Sequence, residues 1–274
     1  MDEVAGDQLT MAESALGEPD ETFRISRARV RTKFWTGLGL ILGSIVIILL
    51  MIFVGMGFDA AVLAKIILTP MIIGATILVT LYRQRGLMAL VYPMGLLRLQ
   101  RGAAASFPWD EIAEVRLKIQ RLDAAEIVLD EEGEPKQCWL PSEAPSLLVW
   151  QAGMTLVRED GADAHFSPAL ADYDRLVKLV QRRTFPRLWA EARDRLLRGK
   201  VVRFGDLEVS AVGLRHSSKK TLKWKEFKEL TIAQGRLTVK KASGWMPWVV
   251  MDVSKVPNPH VLFALVQVAR DAAR

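Results

Sequence analysis

The sequence predicts an α+β membrane protein: an N-terminal transmembrane helical hairpin, then two small antiparallel β-units, each closed by a C-terminal helix. Three observations predict it. Two long apolar runs stand near the start of the 274-residue chain. Downstream, short apolar runs alternate with turn residues, as strands do. One pattern of glycine, basic turn and tryptophan then occurs twice.

Residues 34–58 carry no charge, and about 20 apolar residues suffice to cross roughly 30 Å of hydrocarbon. Asp59 ends that run. Residues 60–82 form a second one containing Lys65 and Pro70. Lys65 is near enough to the start of its run for the ammonium to reach the headgroups, and a proline is tolerated where a neighbouring helix repairs the backbone pairing. Arg24, Arg27, Arg29, Arg31 and Lys33 precede the first run and Arg83 and Arg85 follow the second, whereas the connection carries no positive charge. Basic flanks stay inside, so the expectation is an integral inner (plasma) membrane protein, multi-pass, with both termini cytoplasmic. Gly39 and Gly43 form a small-residue pair whose expected neighbour is the second helix of the hairpin, with a homo-oligomer through the hairpin as the other option.

Residues 1–33 read as a disordered acidic tail, over 1–22, and a basic juxtamembrane segment. The tail offers too little apolar surface to order itself and lacks the basic start and apolar core of a signal peptide. The single cysteine, Cys138, permits no intramolecular disulfide and fits a soluble part in a reducing cytosol.

Residues 86–184 and 200–274 are the two β-units, with a linking helix over 185–199. In the first, Gly95 precedes a polar turn and FPWDEIAEVRL, which holds Trp109. In the second, Gly213 precedes a polar turn and LKWKEFKELTI, which holds Trp224. Ser167-Pro168 and Asn258-Pro259 each pair an N-capping residue with a proline suited to the first helical position. Leu170, Tyr173, Val177 and Val180 follow the first pair at helical spacing, and Leu262, Leu265, Val266 and Ala269 follow the second. Strands are expected over 228–233, 236–241 and 245–254, the first two joined by a Gln234-Gly235 turn. The first unit has an acidic turn over 130–134 and a strand pair over 146–150 and 154–157. Antiparallel strands closed by one C-terminal helix give the outline of a pleckstrin-homology-like (PH-like) fold.

The chain resembles uncharacterised bacterial membrane proteins, a domain-of-unknown-function family, in which a two-helix hairpin precedes tandem PH-like domains. Tyr92-Pro-Met-Gly-Leu, Phe107-Pro-Trp-Asp-Glu-Ile, Val202-Arg-Phe-Gly, Leu222-Lys-Trp-Lys-Glu-Phe and Val256-Pro-Asn carry the resemblance. It implies a fold and a membrane location and brings no activity or catalytic residue.

Candidate chemistry is sparse. His165, His216 and His260 are the only histidines, and no pair has the spacing of metal ligands. No phosphate-binding glycine loop, nucleophile elbow or HExxH occurs. No enzyme activity, catalytic residue, metal or cofactor is therefore expected. Trp109 and Trp224 read as packing residues, while alternation puts Trp245 and Trp248 on opposite faces, one of them exposed. Basic residues are the best functional signal. Lys219, Lys220, Lys223 and Lys225 surround the turn before Trp224, and Arg182, Arg183 and Arg187 open a basic run that continues through Arg193, Arg195, Arg198, Lys200 and Arg203. Beside an anionic leaflet each such cation contributes about 1 kcal/mol. Nucleic acid is the less favoured partner, because the aromatic residues of a base-stacking platform are missing. The expected function is a membrane-anchored, non-enzymatic adaptor that presents its soluble domains to a protein partner or to anionic lipid headgroups. The alternative is a sensor or effector in which such binding changes the state of the hairpin.

Overall fold

Residues 18–54, 60–101, 103–118, 121–122, 128–129, 135–137 and 153–273 are described by a computed structural model of the chain. It is an α+β structure of long helices and small antiparallel sheets.

Strand β1 (Glu21–Arg24) runs into helix α1 (Arg27–Val54), and α2 (Ala60–Gln84) returns to β2 (Met88–Tyr92). β1 and β2 pair antiparallel from Glu21↔Val91 to Arg24↔Met88. The helical hairpin therefore stands where a β-hairpin would have its turn. This corrects the expected disorder over 1–22 at its C-terminal end. Residues 21–24 pair with an available edge of β2 and bury Phe23, while residues 1–17 lie outside the described residues.

Stretches of 24 residues in α1 (Arg27–Leu50) and 18 in α2 (Ile67–Gln84) are long and apolar enough to cross a membrane. Only 11% and 17% of them is buried inside the protein. The two helices meet at glycines other than those expected. A Cβ on Gly74 would lie 2.6 Å from the Gly37 carbonyl oxygen, whereas Gly39 and Gly43 have nothing within 4 Å. Positions 37, 40, 41 and 44 share one helical face, and that choice turns 39 and 43 away from α2. The base of the hairpin is tied to the sheets. Arg29 donates to the carbonyls of Pro168 and Leu170, Arg101 donates to the Tyr82 carbonyl (2.7 Å) and Gln100 to that of Arg83 (2.7 Å).

β3 (Gly95–Gln100) and β4 (Ala103–Pro108) complete a sheet of order β1-β2-β3-β4. β5 (Ile112–Leu117) leaves it. The short β6 (Arg121–Leu122), β7 (Val128–Leu129) and β8 (Pro135–Gln137) follow, then β9 (Met154–Arg158) and β10 (Asp163–Phe166) join β5 in the order β10-β9-β5. The strand expected over 154–157 is thus present, with β5 and β10 as its partners. The strand expected over 146–150, the acidic turn and Cys138 lie outside the described residues.

Helix α3 (Tyr173–Leu197) replaces two expected elements, the helix opened by Ser167-Pro168 and the linking helix over 185–199. Ser167 does not cap it. Residues 169–171 are held instead by the chain entering α1, through Ser26 N–H to the Ala169 carbonyl (2.9 Å) and Ala171 N–H to the Arg24 carbonyl (2.7 Å). The helix starts only after Asp172, which has a left-handed backbone. It continues through Pro186 because Leu176, Val180, Phe185, Leu188, Trp189, Ala192 and Leu196 keep one buried face at helical spacing.

The C-terminal part contains β11 (Val202–Phe204), β12 (Leu207–Ser210), β13 (Gly213–His216) and β14 (Lys219–Lys223), paired in that order. Next come β15 (Phe227–Ala233), β16 (Arg236–Lys241), β17 (Pro247–Asp252) and helix α4 (Pro259–Ala272). Gln234 and Gly235 both have positive φ, 52° and 75°, as the predicted two-residue hairpin turn requires. The final strand begins at Pro247 and ends at Asp252, inside its expected range of 245–254. The order β17-β16-β15-β6 shows that β6, from before α3, extends the C-terminal sheet. Barrel closure is absent among the described residues. The chain turns out of one sheet between β4 and β5, and again between β14 and β15, leaving open sheets.

One hydrophobic cluster runs through both parts, from Phe23 and Leu96 to Leu214 and Leu265. Leu262 and Leu265 of α4 are fully buried, each contributing about 1.5–3 kcal/mol. Asn258 stands at the expected helix start, but its side chain does not cap α4. Its amide donates to the Ala113 carbonyl (3.0 Å), its side-chain oxygen accepts from Val115 N–H (2.7 Å), and its backbone N–H donates to the Val115 carbonyl (2.9 Å). Asn258 thereby acts as a strand partner to β5. Replacing it with Ala removes both side-chain bonds and strands polar groups of β5, costing about 2–4 kcal/mol. Chemical denaturation of wild-type protein and Asn258→Ala measures this loss.

His260 sits between α3 and α4, 2% exposed, with its ring 5.5 Å from that of Phe185 and neither ring nitrogen hydrogen-bonded. Burial depresses its pKa from the ordinary 6.5 to about 3. The unfolded chain therefore takes up the proton first, so stability is complete above pH 6.5 and falls as pH drops towards 3. This one group removes about 2 kcal/mol between pH 7 and pH 5. His165 is shifted in the same direction, chiefly by burial, so the comparison must isolate His260. Thermal melts at the two pH values are expected to show a smaller acid-induced fall in His260→Leu than in the wild type.

Candidate binding surface

The tryptophans that mark the sequence pattern prove to be packing residues. Trp109 and Trp224 are 9% and 6% exposed. The Trp109 indole N–H donates to the Tyr92 carbonyl (3.2 Å), and that of Trp224 donates to the Ser210 carbonyl (3.1 Å). Each accepting residue pairs across a turn with a glycine, Tyr92↔Gly95 and Ser210↔Gly213. Gly213 is required by space, since a Cβ there would run into the Leu222 carbonyl of β14. These residues hold the hairpin that displays the lysines.

β13 and β14 are joined by Ser217-Ser218, with the His216 Nδ1 and Ser218 hydroxyl 3.0 Å apart. β14 is the last strand of its sheet, so one of its backbone edges has no strand partner among the described residues. Leu222 faces the core, whereas Lys219, Lys220 and Lys223 are exposed. Lys225, in the short 3-10 turn Trp224–Glu226, is exposed as well. None of these four lysines forms an ion pair with a described residue. Lysines on an edge strand also discourage pairing with a second chain.

The arginines behave differently. Arg187 donates to the Ile112 carbonyl and pairs with Glu191 (2.7 Å) and Glu159 (3.9 Å), and Arg183 lies 3.8 Å from Asp20. Arg198 pairs with Asp194, and Arg203 shares the intermediate-exposed Glu208 with Arg215. Arg182 is exposed on α3. The basic run on α3 thus joins helix, strands and N-terminal segment, and the structure does not gather Arg183 and Arg187 with the lysines of β14.

Of the two tryptophans that alternation places on opposite faces, Trp245 is the exposed one. Trp248 is buried at 7% exposure with its ring 6.5 Å from His216, while Trp245 is 91% and Met246 62% exposed. The loop bearing them, residues 242–246, is rooted where Ala242 N–H donates to the Glu226 carbonyl (2.8 Å). One end of the loop therefore lies beside Lys225 and the other beside the β13–β14 turn. Among the described residues no group of three or more His, Cys, Asp or Glu is placed to hold a metal ion.

A protein-family profile described as a family of unknown function (DUF6585) matches residues 136–274, just over half of the chain. The match takes in β9 to α4 and with them the lysines of β14 and the exposed loop. No curated protein and no solved structure matches the chain.

Gly213→Ala is expected to push β13 from β14 and cost about 1–3 kcal/mol, the range for overfilling a packed site. Differential scanning fluorimetry of the variant, which should melt well below the wild type, checks the steric role of this glycine.

Proposed function

The chain belongs to that family of unknown function, and we propose that it is a membrane-anchored, non-enzymatic adaptor that presents a basic surface to anionic lipid headgroups. α1 and α2 span the inner membrane, and the basic residues at both ends of the hairpin hold both termini in the cytoplasm. The soluble part is a duplicated pair of PH-like units. Support for duplication comes from the matching tryptophan–carbonyl bonds and glycine pairings at Trp109 and Trp224.

The observation that carries the reading is the placement of Lys219, Lys220, Lys223 and Lys225. They are exposed along one sheet edge without described ion-pair partners, on a domain tethered to helices of membrane-spanning length. Each cation brought to an anionic surface contributes about 1 kcal/mol at physiological salt and less as salt screens it. An acidic protein face is the competing ligand for the same charges.

The effector alternative is favoured by one specific feature, the insertion of the hairpin between the paired strands β1 and β2. A change in the sheet is felt at both helix bases, and Arg29, Gln100 and Arg101 stiffen the connection.

The test uses full-length chain in neutral-lipid nanodiscs, with anionic or neutral vesicles added. Capture of anionic vesicles that weakens with salt and is lost in the Lys219→Glu, Lys220→Glu double variant is the expected result. Equal capture of neutral vesicles, or none of either, rejects headgroup binding and leaves an acidic protein as the partner to seek.

A further inference from the structure

Resting on the headgroup reading above and deepening it, we propose that the 242–246 loop is an insertion finger that drives Trp245 and Met246 into the interface of an anionic bilayer. The loop contributes little to its own fold. The β16–β17 ladder is closed by Val239↔Val249 and Lys240↔Pro247, and the chain between them extends outward with Trp245 91% exposed. Met246 follows at 62%, and Gly244 has a left-handed backbone with open space around it. An indole in water with no packing partner is unfavourable for a folded domain, whereas the same amphipathic ring is favoured at a headgroup boundary.

The surroundings specify the charge of the surface. The Ala242–Glu226 hydrogen bond fixes one end of the loop beside Lys225, near the C-terminal end of β14. The Trp248–His216 ring contact fixes the other end beside the turn that precedes Lys219. The two ends of the loop are thus rooted at the two ends of the lysine-bearing segment, one next to Lys225 and the other next to the turn that leads into Lys219 and Lys220. Of the acids in the neighbouring strands, Glu229 is paired with Lys240 (2.6 Å) and Glu208 with Arg203 and Arg215. A projecting Trp-Met pair between exposed lysines has the chemistry of a bilayer surface: cations for the phosphates and an apolar tip for the layer beneath.

The experiment uses full-length protein in nanodiscs with Cys138→Ser, carrying one spin label at either Met246→Cys or Ser217→Cys. Anionic lipid is supplied in the disc or as added vesicles, with neutral lipid as the control. The expected result is a gain in oxygen accessibility and a loss of accessibility to a soluble nickel chelate at position 246, with anionic lipid only. Position 217 should report headgroup proximity without insertion. Trp245→Ser, with Met246 retained, should weaken anionic-vesicle binding about tenfold. Proximity at 217 with 246 still in water overturns insertion while the lysine reading stands. Both labels in water under every condition overturn the two together and assign the patch to an acidic protein.

Discussion

The pairing of β1 with β2 across the helical hairpin is the constraint on which the rest of the structure depends. Arg24 and Met88 are partners in one ladder although the whole hairpin lies between them. Neighbouring strands lie about 4.8 Å apart, whereas packed helices sit about 8–10 Å apart. Two helices feeding two adjacent strands must therefore converge towards the sheet. Gly37 and Gly74 permit a close approach, since any Cβ on Gly74 would meet the backbone of α1. They lie ten residues from Arg27 and ten from Gln84, towards the sheet end of the hairpin. Small residues in the helices and strand register in the sheet thus answer one geometric demand.

The same junction explains why α3 begins late. The chain around Arg24–Ser26 needs partners for its backbone as it leaves β1, and residues 169–171 supply them. A segment used in that way cannot also be the first turn of a helix. Once α3 starts, its buried face is long enough to serve both parts of the protein. It meets β5 through Arg187 and packs on α4 around Phe185 and His260. Asn258 adds a second link to β5, and β6 a third through the ladder with β15. Both β-regions therefore share one continuous core.

Local chemistry was legible in the sequence; long-range competition was not. The two apolar runs, the Gln234-Gly235 turn and the strand over 236–241 follow from hydropathy and backbone preference within a few residues. The packing role of Trp109 and Trp224 was legible for the same reason. Ser167 opens no helix, whereas Asn258 does stand at the N-cap of α4 with Pro259 behind it, yet its side chain serves β5. Sequence spacing cannot reveal such a distant partner. Ala169 and Ala171, just after Ser167, are bonded to the chain entering α1, and the side chain of Asn258 is claimed by Ala113 and Val115. Gly39 and Gly43 satisfied the small-residue spacing, but the buried face of α1 is set by which residues meet α2. The lysines of β14 could be named from sequence. Their separation from the α3 arginines could not, because it depends on carboxylates such as Glu159 and Asp20 arriving from elsewhere in the chain.

The double attachment of the hairpin also limits how adaptor and effector roles differ. A single helix on a flexible linker anchors a domain without sensing it. Here, rotation of α1 against α2 would shear the β1–β2 ladder, which continues through β3 and β4 to the Arg101 and Gln100 contacts at the base of α2. Any load on the sheet reaches both helices together. Adjacent antiparallel strands share their hydrogen bonds, so they move as a pair more readily than they slide. The favoured response is a tilt of the whole hairpin relative to the soluble part, and opening between its helices is the more costly one. In the proposed membrane-anchored reading, that tilt changes how close the sheets lie to the bilayer. Such a motion would present the basic edge of β14 without breaking the ladder.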